Sequence, residues 1–135
     1  MAMWRESELK HGRVAMAATL GWIITAGGTH PAFDGALSSD PLQAAAQWSP
    51  AGWGQFVLGC GAVEWLAEKI KERPGYQAGD LLGAAYWVDN SDQGWVDYQN
   101  RELSNGRLAM LAIIGFIVQD LQFHEYGDKL FTTIL

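Results

Sequence analysis

Two stretches of this chain are copies of each other, and the copying constrains the fold more than any bulk property. Glu8-Leu-Lys-His-Gly-Arg-Val-Ala-Met16 returns ninety-four positions later as Glu102-Leu-Ser-Asn-Gly-Arg-Leu-Ala-Met110. Eight of fifteen positions agree between Glu8–Trp22 and Glu102–Phe116, so the two stretches predict equivalent structural units. Each copy places a carboxylate, an imidazole or amide, and a guanidinium at the mouth of an apolar run. Unpaired charge in a low-dielectric setting is expensive, so these groups need partners.

Helical geometry says where the partners are. Glu8 and His11 are three apart and share a face. Arg13, five residues from Glu8, falls about 140° round the helix and cannot pair well with it. Glu102, Asn105 and Arg107 repeat the spacing. The economical solution is reciprocal: Glu8 pairs with Arg107 and Arg13 with Glu102, across a crossing of the first and third helices. Gly12, Ala15, Gly106 and Ala109 supply the small residues that a close helix–helix approach requires. The expected relation between the two helices is a pseudo-two-fold.

Three apolar blocks, Val14–Ala26, Ala51–Ala67 and Leu108–Val118, carry the rest of the architecture. With its polar flank, each becomes a helix of about 20 residues or slightly more, which at ~1.5 Å per residue matches a hydrocarbon core of roughly 30 Å. Ser49-Pro50 is a helix start and Pro74-Gly75 a helix stop, while Gly27-Gly28 closes the first helix. Asp97 is a suitable cap for the third. The expectation is therefore an all-α membrane protein, a single domain over 1–135, with transmembrane helices at about 6–26, 50–73 and 97–121. A short helical turn is expected around Leu42–Gln47, and a short amphipathic C-terminal segment, Gln122–Leu135, against the membrane surface. Of nine Lys and Arg, eight fall at the start of the first helix, the end of the second or the start of the third. Three spans put all eight on one side and leave only Lys129 on the other, with the N-terminus on the positive side.

Net charge −6 with a pI near 4.8 leaves no footprint for nucleic acid. The single cysteine, Cys60, excludes an intramolecular disulfide and a cysteine-based zinc site, and reads as a small buried hydrophobe. The opening residues show no cleavable leader, implying a mature chain or one lacking its leader.

After the reciprocal pairing, each carboxylate keeps a free lone pair, and His11 and Asn105 have no assigned task. No three or four donors converge on one metal. Separated single donors suit a metal already held by a macrocycle that needs one axial ligand, and magnesium accepts carboxylate, amide and imidazole. Gln55 and Glu64, nine apart on the second helix, and Gln119, near the face of Asn105, offer the same chemistry. His30 and His124 lie in loop and tail, where solvent exposure competes with ligation.

Glu8-x-x-His11-x-Arg13 and Glu102-x-x-Asn105-x-Arg107, each followed by Ala-Met after one residue, resemble the first and third membrane helices of the light-harvesting chlorophyll-binding family. Pro50-Ala-Gly-Trp-Gly-Gln55 leading to Glu64, and Asn105–Gln119, resemble its red-lineage chlorophyll a/c branch. The resemblance covers all three helices. It implies that Glu8, His11, Gln55, Glu64, Glu102, Asn105 and Gln119 ligate the magnesium of chlorophylls, with His30 and His124 as further candidates. It implies chlorophyll a, chlorophyll c and carotenoids as cofactors, the carotenoid ends held by loops such as 31–35 and Gly79-Asp80. Here the family's Pro-Gly-Asp reads Ala78-Gly79-Asp80.

The implied function is light harvesting without bond chemistry, hence no enzyme. Excitation passes to a photosystem core, with photosystem I favoured as host, among neighbouring antenna proteins and lipids of a plastid thylakoid membrane, and with the N-terminus stromal. Two rivals stand beside it: a photoprotective relative that quenches excitation, and a soluble helical interaction module without pigment.

Overall fold

The computed structural model describes residues 2–28, 37–83 and 92–123. Four helices account for the regular structure there: α1 (Ala2–Ala26), α2 (Pro41–Gln47), α3 (Pro50–Lys71) and α4 (Asp92–Phe123). The first, second and third long helices expected from the sequence are α1, α3 and α4.

The ends of these helices follow from local chemistry. Gly28 closes α1 at φ +73°, a left-handed conformation that costs a glycine little. The Asp40 carboxylate caps α2 by accepting from the N–H of Leu42 and Gln43 at 2.9 and 3.2 Å. Ser49 caps α3 through the N–H of Gly52 at 3.1 Å, with Pro50 in the first turn. The α2–α3 corner is set by rings: Trp48 and Trp53 lie 5.0 Å apart, and Trp53 Nε1 donates to the Ala45 carbonyl at 3.1 Å.

Two helices begin earlier than the sequence suggests. α1 starts at Ala2 rather than near residue 6, because Ala2 to Arg5 contains nothing that breaks a helix. α4 starts at Asp92 rather than near Asp97, since Gly94 inside a helix costs only about 1 kcal/mol and does not end it. The early turn is tied down by Trp95 Nε1, which donates to Gln77 Oε1 across the preceding loop. At its other end α4 runs through Phe123, two residues beyond the expected stop. The rest of the expected amphipathic tail lies outside the described residues.

α1 and α4 form the principal packing unit. A Cβ built on Gly12 would stand 2.9 Å from Gly106 Cα, and a Cβ on Gly106 would stand 2.9 Å from Gly12 Cα. Backbone therefore meets backbone, which only glycine at both positions allows. Ala15 and Ala109 are buried on the same seam, and Trp22 closes it against Phe116, centroids 6.1 Å apart. By contrast, α3 buries only Ala67.

The outside is greasy. Leu58 on α3 is 75% exposed, Leu111 on α4 is 73% exposed, and Trp65 and Leu20 are similarly open. Apolar surface of this extent requires a covering phase or partner. Among the described residues, α4 alone, over Gln93–Phe123, is both long and apolar enough by mean hydropathy to cross a membrane. The other two long helices, 25 and 22 residues, reach about 37 and 33 Å at ~1.5 Å per residue. Their mean hydropathy is lowered by the charged opening of α1 and by the glycines and tryptophans of α3.

Candidate functional site

The crossing of α1 and α4 sits at the charged mouths of the repeated motifs. Arg13 Nε donates to Glu102 Oε1 at 2.6 Å, and Arg107 Nε donates to Glu8 Oε1 at 2.6 Å. Both are ion pairs between helices, and both carboxylates are about one-third exposed, 33% for Glu8 and 34% for Glu102. Charge-assisted bonds of this length are roughly twice as strong as neutral ones. The pairs flank the Gly12–Gly106 contact, so the contact sets the distance that the guanidinium groups have to span. Among the described residues, the second oxygen of each carboxylate takes no hydrogen bond. Each glutamate is thus neutralised and still able to donate a lone pair.

His11 is prepared in a different way. Its Nδ1 lies 2.7 Å from the Ser7 carbonyl oxygen, one turn back on the helix. A carbonyl only accepts, so Nδ1 carries the hydrogen, and in the neutral tautomer this selects, the lone pair is on Nε2 of an exposed ring. This is the arrangement by which a backbone carbonyl orients a metal-binding imidazole. Beside it runs an apolar groove between α1 and α4, about 490 Å³, lined by Val14, Ala18, Met110, Ile113 and Ile114 among others. Asn105, the equivalent of His11 on α4, is exposed beside a polar recess formed with Asp97, Asn100, Arg101 and Ser104.

The donors of α3 are separated from one another. Gln55 and Glu64 are both exposed and, nine residues apart, point about 180° from each other round the helix. They belong to two places rather than one. Glu64 borders a second apolar groove, about 510 Å³, between α1 and α3, with Leu9, Val14, Phe56 and Val63 in its walls. Ion pairs bridge this groove: Lys10 with Glu64, and Lys71 with Glu6 at 2.7 Å. Lys71 also holds Glu68 at 2.6 Å, and Lys69 holds Glu72.

Gln119 is half-buried near the far end of α4, thirteen residues from Gly106. His30 and His124 lie outside the described residues, as does the loop 31–35. The loop at Gly79-Asp80 is described: Gly79, at φ +88°, packs so close to Leu9 that a Cβ there would lie 2.6 Å from Leu9 Cδ1. The small recess beside it, about 280 Å³, is bordered by Arg13, Tyr98 and Glu102.

Several features were not read from the sequence. Lys10–Glu64 and Glu6–Lys71 link helices whose lateral placement no periodicity reveals. The Ser7–His11 bond is local, and its i, i+4 spacing was available as a signal. Cys60, expected to be buried, is exposed on α3 and lines the α1–α3 groove, because α3 stands off from α1 instead of packing on it. Among the described residues no three His, Cys, Asp or Glu side chains gather into a cluster that could hold a metal ion. The donors stand singly, each against apolar surface.

The Chlorophyll A-B binding protein profile matches residues 1–121. The chain belongs to that family. It is 37% identical over 121 residues to a fucoxanthin-chlorophyll a-c binding protein of Chattonella marina var. antiqua, covering 87% of this chain and 56% of the relative. It is 34% identical over 136 residues to light-harvesting complex stress-related protein 1 of Chlamydomonas reinhardtii, covering 87% of this chain and 53% of the relative. A fucoxanthin-chlorophyll a-c binding protein of Isochrysis galbana is 33% identical over 133 residues, covering 86% of this chain and 62% of that protein. This chain therefore spans between half and two thirds of the length of these relatives, all of which are chloroplastic. The family is one of helical membrane proteins, and it and these relatives are light-harvesting pigment-binding proteins, not enzymes.

Proposed function

We propose that this chain is an antenna subunit that holds chlorophylls and carotenoids at fixed positions in a plastid thylakoid membrane and passes excitation to a photosystem core, photosystem I in our reading. The observation that carries this is the pair of arginine-neutralised carboxylates, Glu8 and Glu102, each with one oxygen left to donate. α1, α3 and α4 act as three spans, with α1 and α4 related by a pseudo-two-fold through the Gly12–Gly106 contact. The contacts between Arg5 and Gln99, Lys10 and Glu64, and Glu6 and Lys71 gather the cationic ends of all three helices together, which supports a stromal N-terminus.

The residues present fit a magnesium tetrapyrrole. Such a metal brings its own macrocycle and asks the protein for one oxygen or nitrogen donor, an apolar wall and no further charge. Glu8, Glu102 and Glu64 supply carboxylate oxygens with a cation at hand, His11 supplies Nε2, and Asn105, Gln55 and Gln119 supply amide oxygens. Bound chlorophyll and carotenoid supply light absorption and excitation transfer. The chain orients them, excludes water through the exposed apolar faces, and keeps the donors rigid. Chlorophyll a, chlorophyll c and a xanthophyll are the expected pigments, one xanthophyll end resting against the Gly79-Asp80 loop. His30 and His124 complete the set of proposed donors.

Purification from thylakoids, or refolding with a pigment extract, followed by chromatography of the bound pigments tests this reading. Chlorophyll with xanthophyll, and chlorophyll a fluorescence excited through the xanthophyll, are expected; recovery without pigment sinks it. The similarity to stress-related proteins favours one second reading, a subunit that dissipates excitation. A short fluorescence lifetime under every condition would select it over the antenna.

A further inference from the structure

Each of the carboxylates at the α1–α4 crossing owes its low charge cost to a cation from the facing helix. Glu64 lies on α3, where its own helix offers no such partner. The residues one turn away are Cys60, Gly61, Ala67 and Glu68, and the last is itself an anion already held by Lys71 at 2.6 Å. The cation that reaches Glu64 comes from α1: Lys10 pairs with Glu64 Oε1 across the groove. Lys10 lines that groove together with Val14 and Val63, so the pair it makes stands against apolar surface. An ammonium is a point charge with no fork geometry, and it engages one carboxylate oxygen while leaving the other open.

Resting on the reading of Glu64 as an axial donor, we propose that Lys10 is the positioning residue that makes Glu64 a magnesium-tetrapyrrole ligand. It does so as an inter-helix countercharge, doing for the α1–α3 groove what Arg107 and Arg13 do at the crossing. Without Lys10, no cation holds the Glu64 carboxylate at the apolar wall of the groove, so its side chain turns away from that wall and the donor oxygen is lost from the groove. An amide at the same position needs no countercharge. Glu64 as a ligand is therefore conditional on the residue just before His11 on α1, so the second groove becomes competent only once α1 and α3 lie side by side.

The test is refolding of the full chain with a chlorophyll and carotenoid extract, reading chlorophyll-to-carotenoid ratio and low-temperature absorption. Lys10→Met is expected to lose the same chlorophyll band as Glu64→Leu. Glu64→Gln is expected to keep it, and Lys10→Met with Glu64→Gln is expected to recover it. Lys10→Arg, which keeps the charge, retains the band and serves as the control if Lys10→Met refolds poorly. A Lys10→Met protein with the full band overturns the proposal. So does a double variant that fails to recover it, because a purely structural bridge would be lost in both. A Glu64→Leu protein with unchanged pigment overturns the ligand reading itself, and the countercharge proposal falls with it.

Discussion

The two faces of α1 are built on opposite principles. Toward α4, glycine meets glycine, and two ion pairs flank a contact with no room for a methyl group. Toward α3, the helices stand apart over a groove of about 510 Å³, bridged by lysine–glutamate pairs. The first face is complete as protein. The second is apolar and spacious, and side-chain bridges alone span it. The contrast teaches that one chain can lock two helices together backbone to backbone and hold a third by side-chain bridges across an open groove.

The sharpest way to break the comparison is at the seam. Gly12→Val puts side-chain atoms into the Gly106 backbone, which cannot rotate away as a side chain would, so the loss should exceed the usual ~1–3 kcal/mol of overpacking. Little or no pigmented protein should survive a sucrose gradient; normal recovery would mean that the helices do not meet there. Arg107→Leu comes next. It leaves Glu8 uncompensated and should remove the chlorophyll at Glu8, with restoration by adding Glu8→Gln; unchanged pigment content would break the reciprocal pairing.

A third experiment separates the two faces without mutation. Hydrogen exchange of pigment-free protein in detergent should be fast along α3 and slow at the α1–α4 seam, and pigment should slow α3 most. Equal protection of both in the pigment-free state would erase the distinction. His11→Ala should lose its chlorophyll while sparing the fold, since the ring bonds only within its own helix; a matching absorption spectrum would remove His11 from the donors. The smallest effect is expected from Ser49→Ala, about 1 kcal/mol of lost capping at the start of α3, read as a modest drop in thermal midpoint.

What was legible in the sequence divides along the same line. The crossing could be read because its two halves are repeated: a single spacing, Glu to Arg at five residues, forbids pairing within a helix and demands it between copies. The caps at Ser49 and Gly28 were legible because each rests on chemistry within four residues. The start of α4 was not, because Asp92 and Asp97 are equally good first-turn acids and Gly94 looks like a stop without being one. The α1–α3 groove was illegible for a deeper reason. Its partners depend on the rotation and offset of α3, and α3, exposed on nearly every side, carries no stripe that marks its inner face. Cys60 was misplaced for the same cause.

The Gly12–Gly106 contact also acts as a fulcrum. It is the tightest backbone approach of a seam that continues through Ala15 and Ala109 to Trp22 against Phe116, and a change of crossing angle about it moves a residue in proportion to its distance. Asn105 sits beside the fulcrum and Glu8 four residues from it, whereas Gln119 is thirteen residues away, about 20 Å at ~1.5 Å per residue. A scissoring of about 5° then shifts Gln119 by roughly 1.7 Å and a donor about 6 Å away by roughly 0.5 Å. Any group held near the pivot would keep its spacing, and the Trp22–Phe116 contact, ten residues farther along both helices, is what limits the sway of a group held at Gln119.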